Sequence, residues 1–209
     1  MSFGKAYSPD KKIVWDAFSY AEKKGLLLIK AAGNDNLNID EEVHYPTAYN
    51  EKGVAVSNNV ITVGANTMDK NSLKADFSNY GKKSVDVFAP GDKIYSTVPK
   101  KDGDYKNLDG TSMASPAVAG VAALVWAHYP KLTAQDIKQI ILGSVNKNAQ
   151  LADLSVTGGV VDAYKAVQLA EKMYKTKKYI TEKENYKIKE IIDYFMVCLH
   201  DEMENRRKT

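Results

Sequence analysis

Apolar positions along this chain follow two rhythms. Between Lys11 and Lys24, Ile13, Val14, Ala17, Phe18 and Ala21 recur at helical spacing and share one face. Gly25 follows as a stop signal. Leu26 to Ile29 is a short unbroken apolar run that predicts a strand buried on both sides. A polar loop runs from Asn34 to about Val54. Val60 to Ala65 and Val85 to Ala89 repeat the buried-strand pattern, the second closed by Pro90-Gly91, and Ile94 to Val98 is a further candidate. Asp102-Gly103 and Asp109-Gly110 mark turns.

Ser115 to Tyr129 reads as a helix apolar on nearly every side. It is too short to cross a membrane, so the pattern places it at the centre of a core. Pro116 falls in its expected first turn and Pro130 ends it. Thr133 reads as the cap of a helix reaching about Leu142, and a further helix is expected from Val160 to Lys172. Strands alternating with helices predict an α/β layered fold with a mostly parallel sheet. From 173 to 209 the composition shifts to Lys, Glu and Tyr. There Thr181-x-x-Glu184 is a capping-box pattern, and Ile188, Ile191, Ile192, Phe195, Leu199 and Met203 predict an amphipathic tail helix. Residues 1–172 are thus expected to form one unit and 173–209 a charged, helical second.

The net charge of +3 is not concentrated in a basic patch, and the lysines between 172 and 189 are interleaved with glutamates, which gives no case for nucleic acid. With Cys198 as the single cysteine, no intrachain disulfide can form. No run is long enough for a membrane span, and Met1 to Lys5 has no apolar core of a signal peptide.

The chemistry centres on Gly110-Thr111-Ser112-Met113-Ala114-Ser115-Pro116, which leads into the apolar helix. A serine at a buried helix start has free N–H groups and the positive end of the helix dipole beside it. These suit a nucleophile that generates an oxyanion. On spacing alone, a simple helix cap at Thr111 or Ser112 is the commoner explanation. Ala31-Ala32-Gly33-Asn34, after the first strand, is on its own most simply a turn.

Together these two segments resemble the subtilisin family of serine proteases. Gly110 to Pro116, followed by Ala-Val-Ala-Gly-Val-Ala-Ala-Leu, is similar to the family's nucleophile motif, and Ala31 to Asn34 to its oxyanion motif. Ser2-Phe3-Gly4, after Met1, resembles a strand lining the substrate groove. Phe77-Ser78-Asn79-Tyr80-Gly81, Asp86 to Gly91 and Gly159 to Val167 resemble later segments in family order, so the resemblance covers about residues 1–170. It implies a three-layer fold, with Ser112 as nucleophile and Asn34 as oxyanion donor. It also implies that Ser2, Phe3, Gly4, Ala31, Ala32, Gly33, Gly110 and Thr111 border the peptide substrate.

The family's triad runs Asp, His, Ser along the chain. The Asp and His motifs precede the groove strand, and this sequence begins at that strand. The expectation is therefore a domain lacking its N-terminal part, inert by itself and completed by that missing half. The alternative is a truncated or repurposed chain that self-associates or binds peptides without chemistry. His44 sits in the polar loop, His128 lies about four turns (~20 Å) along the helix from Ser112, and His200 is in the tail; none is expected to act as base. Asn36-x-Asn38-x-Asp40 departs from a calcium loop and reads as solvated. Calcium occurs in the family, but no site carries over, and no cofactor is expected. The family resemblance implies a secreted or cell-envelope parent.

Overall fold

Asp10 starts the first helix by accepting the Ile13 N–H, and α1 then runs Lys11–Lys23. The computed structural model describes residues 1–177 together with Thr181 and Lys189. The chain divides into two units, Met1–Ala170 and Glu171–Thr209. In the second unit Thr181 is helical, its hydroxyl donating to Lys177 O, so it does not cap. The amphipathic tail helix expected through Met203 lies outside the described residues.

In the first unit, β1 (Leu28–Ala31), β2 (Val60–Asn66), β3 (Val87–Pro90), β6 (Asn146–Lys147) and β7 (Gly159–Val160) form one sheet in the order β1-β2-β3-β7-β6. All neighbours are parallel except β6, which is antiparallel to β7. β4 (Ile94–Thr97) and β5 (Tyr105–Leu108) form a separate hairpin on which Tyr95 stacks over Tyr105. α2 (Thr111–His128) packs on β1, β2 and β3, and α3 (Ala134–Gly143) packs on α2. Thr133 caps α3 through a full capping box with Asp136. Residues 163–170 form α4, the last element of the first unit, and residues 171–177 of the second unit are helical.

The strand pleat divides the core. Ile29, Ile61, Val63, Ala65 and Val87 alternate with Lys30, Thr62, Gly64 and Phe88. The first set faces α2, where Ser115 bonds Ile29 O and Ala114 approaches Ala65. On the other face Phe88 lies over Gly64 and packs with Ala32, Ile39, Val85 and Leu151. Phe18 of α1 packs with Ala48 and Val60.

Several expectations are corrected. β1 begins two residues late, because Leu26 still donates back to Ala21 O in the turn out of α1. Of the expected face of α1, Phe18 and Ala21 are buried as read, while Ile13 and Ala17 are exposed. Val160 belongs to β7, held to β3, so the last helix begins later, at 163. α2 starts at Thr111, which puts Pro116 in its second turn. Nor is α2 covered all round: Ala114, Val118, Ala122 and Val125 are buried on the sheet, while Pro116, Ala117, Gly120, Ala123, Leu124 and Ala127 form an exposed stripe. Among the described residues, no helix is long and apolar enough to cross a membrane.

Candidate active site

β3 ends in Pro90-Gly91, and Gly91 is pressed between β2 and the start of α2. A Cβ on it would fall 2.6 Å from Ala65 Cβ and 2.8 Å from Gly110 O. Gly110 in turn has φ +147°, outside the range of L side chains, and caps α2. This tight crossing sets Ser112 in the first turn of α2, partly exposed. Its hydroxyl donates to Ser2 O at 3.0 Å, and the Ser2 hydroxyl donates to Ser112 O at 3.0 Å. Pro116 has no N–H to offer the carbonyl four residues back, so Ser112 O is free for that second bond.

Asn34, beyond the end of β1, is held by the same turn. Its Oδ1 accepts from Thr111 N at 2.9 Å and from the Thr111 hydroxyl at 2.8 Å. Thr111 is buried and its hydroxyl also accepts the Gly33 N–H. With Oδ1 fixed, the amide Nδ2 of Asn34 turns to Gly110. It lies 3.2 Å, and Ser112 N 3.6 Å, from the point a Gly110 Cβ would occupy. Two N–H donors thus flank a space that only glycine leaves empty, as a site for a developing oxyanion requires.

A buried asparagine that the sequence did not single out supports this loop. Asn79 accepts the N–H groups of Asp35 and Leu37 and donates to Ala32 O. Gly33 has φ +111°, and a side chain there would fall 2.2 Å from Asn79 Nδ2. Asn79 was visible only as one residue of the Phe77–Gly81 segment; its role depends on contacts more than 40 residues away.

The residues expected to border substrate fall into two strips. Ser2, Phe3 and Gly4 are exposed, Ser2 beside Ser112 and Gly4 beside His44. Ala31, Ala32 and Gly33 lie at the end of β1, with Met1 bonded along its outer edge through Ala31 N and Ile29 O. The His44 ring stands between the strips: a Cβ on Gly4 would lie 2.2 Å, and one on Gly33 3.0 Å, from its Cε1. Its Nε2 is 3.6 Å from Asp35 Oδ2, and its side chain is 10% exposed. Burial, aided by the Lys30 charge and opposed by Asp35, holds the imidazole pKa below its ordinary value. His128 bonds Leu124 O at the far end of α2. No histidine among the described residues bonds the Ser112 hydroxyl. His200 lies outside the described residues. Asp40, in the loop considered for calcium, accepts the N–H groups of Lys83 and Ser84.

The subtilase family model matches residues 1–160. The chain belongs to the subtilase family. Thermitase of Thermoactinomyces vulgaris is 40% identical over 157 residues, a match taking in 73% of this chain and 48% of thermitase. The major intracellular serine protease of Bacillus subtilis is 42% identical over 112 residues, 53% of this chain and 31% of that protein. Among solved structures, one described for the assembly of subtilase cytotoxin superposes with a TM-score of 0.72 at 28% identity, covering 83% of this chain and 58% of the other. The chain therefore spans between 31% and 58% of the length of these relatives.

Proposed function

We propose that this chain carries the nucleophile and oxyanion half of a serine endopeptidase site, and that by itself it is inert. The observation behind the reading is the convergence of Asn34 Nδ2 and Ser112 N beside Gly110, at the foot of the Ser112 helix. In the reaction, Ser112 Oγ attacks the peptide carbonyl carbon while its proton passes to a base. The carbonyl oxygen becomes an oxyanion between Asn34 Nδ2 and Ser112 N–H. Collapse expels the amine, which takes up the proton, and water then hydrolyses the acyl ester. The substrate backbone lies as an added strand along Ser2–Gly4 and Ala31–Gly33. The bond that Ser112 makes supports inertness: its hydroxyl donates to a carbonyl, which cannot take a proton at neutral pH. The base and its orienting carboxylate come from a complementary N-terminal portion.

Intact-mass labelling with an organophosphorus serine probe, beside Ser112→Ala, tests both halves of the reading. No adduct on the chain alone, with an adduct once a portion bearing the Asp and His motifs is added, is the expected result. An adduct on the chain alone that Ser112→Ala abolishes overturns the inertness. An adduct that survives Ser112→Ala overturns the nucleophile.

The exposed apolar stripe of α2 favours a second reading, a chain that pairs with a copy of itself and performs no chemistry. Failure of the completed pair to label would support it. The family resemblance argues for a secreted or envelope protein, whereas the Bacillus relative's name says that it is intracellular. Fractionation of source cells decides between these locations.

A further inference from the structure

Lys30, Thr62 and Asp86 form a row across β1, β2 and the approach to β3, on the sheet face away from α2. Lys30 is 2% exposed. It makes no hydrogen bond or ion pair with any described residue, and its only counter-charge is Asp86, acting through space. Asp86 is itself shared, because the Lys138 ammonium also acts on it while bonding Val60 O at 2.6 Å. Two ammonium groups therefore serve one buried carboxylate, and the cluster is short of one negative charge.

The surplus faces a space. Lys30 lines a cavity of about 510 Å³ on this face, within the range of sites that hold small ligands. Its walls include Trp15, Ile39, Val43 and Tyr49, the last two partly exposed to solvent. Among the other charged groups around it, Lys11 and Glu51 form an ion pair at 2.9 Å, while Asp40 and Lys83 form none with a described residue. Asp40 accepts the Lys83 and Ser84 N–H groups. His44 also lines the cavity, and its buried Nδ1 has no partner. Lys83 contributes a further positive charge to the lining.

We propose that this cavity binds a small monocarboxylate with an aromatic or apolar body, the carboxylate on Lys30 and the body against Trp15 and Tyr49. The carboxylate supplies the charge that the Lys30–Asp86–Lys138 cluster lacks, and the buried setting strengthens the pair relative to water. The burial that holds the Lys30 pKa down to about 8 leaves the amine mostly charged at pH 7. Ser112 is not among the residues that line the cavity, and the proposal does not depend on the protease reading.

The probes are 3-phenylpropionate and its neutral amide, titrated into the whole chain at pH 7 by calorimetry. The acid is expected to bind at least tenfold more tightly than the amide. Lys30→Met, checked for its fold by circular dichroism, should bring the acid down to the amide's affinity, and Ser112→Ala should leave the acid unchanged. Equal affinity of acid and amide, or no binding of either, overturns the proposal on the unaltered chain, whatever the variant does. So does tight acid binding in Lys30→Met. Loss of acid binding in Ser112→Ala would move the anion to the start of α2 and overturn it as well.

Discussion

Asn79 accepts N–H bonds from Asp35 and Leu37 and donates to Ala32 O, so the loop that carries Asn34 hangs on one fully buried side chain. Asn79→Ala leaves three backbone groups without partners. Each such group costs on the order of 1–3 kcal/mol when it stays dry, and partial hydration lowers the sum to an expected loss of about 2–4 kcal/mol. Urea unfolding measures this; a loss under about 1 kcal/mol would remove Asn79 from its supporting role. Lys30 makes a second prediction at this scale. Its pKa is near 8 in the fold against an ordinary 10.5, so folding disfavours its charged form. The penalty is complete below pH 8 and gone above about 10.5. Between these values the unfolded chain binds more protons, and stability rises with pH, by roughly 3 kcal/mol at 1.4 kcal/mol per pH unit. Other groups titrate in the same window, so the quantity to follow is the difference from Lys30→Met. A flat difference from pH 8 to 10.5 would sink the argument.

α2 begins four residues earlier than its apolar run, and that shift carries Ser112 from the approach to the helix into its first turn. The apolar pattern locates helices by the face they bury, and Thr111 to Met113 are held by Asn34 and Gly110 instead, contacts no periodicity reports. The two site segments themselves were legible because they are short, contiguous motifs. The long-range supports, Asn79 and the Lys30–Asp86–Lys138 cluster, were not. A lysine inside an apolar run looks like a strand end, as it did after Leu26–Ile29, until the sheet shows it in mid-strand. β5 was missed because Tyr105–Leu108 is mostly exposed and carries no alternation. Pro116 tests the helix start directly. It removes one bond to Ser112 O, which the Ser2 hydroxyl takes up. Pro116→Ala restores the helical N–H and should stabilise the chain by about 1–2 kcal/mol, the gain in the helix being offset partly by a freer unfolded chain. It should also release Ser2 from Ser112, read as faster exchange of the Ala31 amide, which is bonded to Met1 O beside Ser2. A destabilised variant would mean that the proline is needed to shape the turn.

At the scale of the molecule, α2 leaves one face uncovered by the described residues. Pro116, Ala117, Gly120, Ala123, Leu124 and Ala127 recur at the spacing of one helix face, and none carries a charge. Scattered apolar side chains are ordinary on a surface, but a continuous stripe of small ones is suited to close approach by another element. Beside it, among the described residues, the outer edge of β1 is bonded by Met1 and the Ser115 hydroxyl and pairs with no further strand. A complementary portion of the domain would cover both features at once. In its absence a second copy is the nearest available cover, and the chain alone should self-associate. Static light scattering across a concentration series should show the mean mass climbing above 23.1 kDa, more steeply in sulfate, which strengthens apolar burial. Ala123→Glu with Ala127→Lys places two charges on the stripe in the i,i+4 order that supports a helix, with the lysine in the last turn, so the fold should keep its melting temperature while association weakens. A monomer at high concentration in the unaltered chain would show that the stripe needs no cover. Association undiminished in the double variant would locate the contact elsewhere and would remove the stripe from self-association.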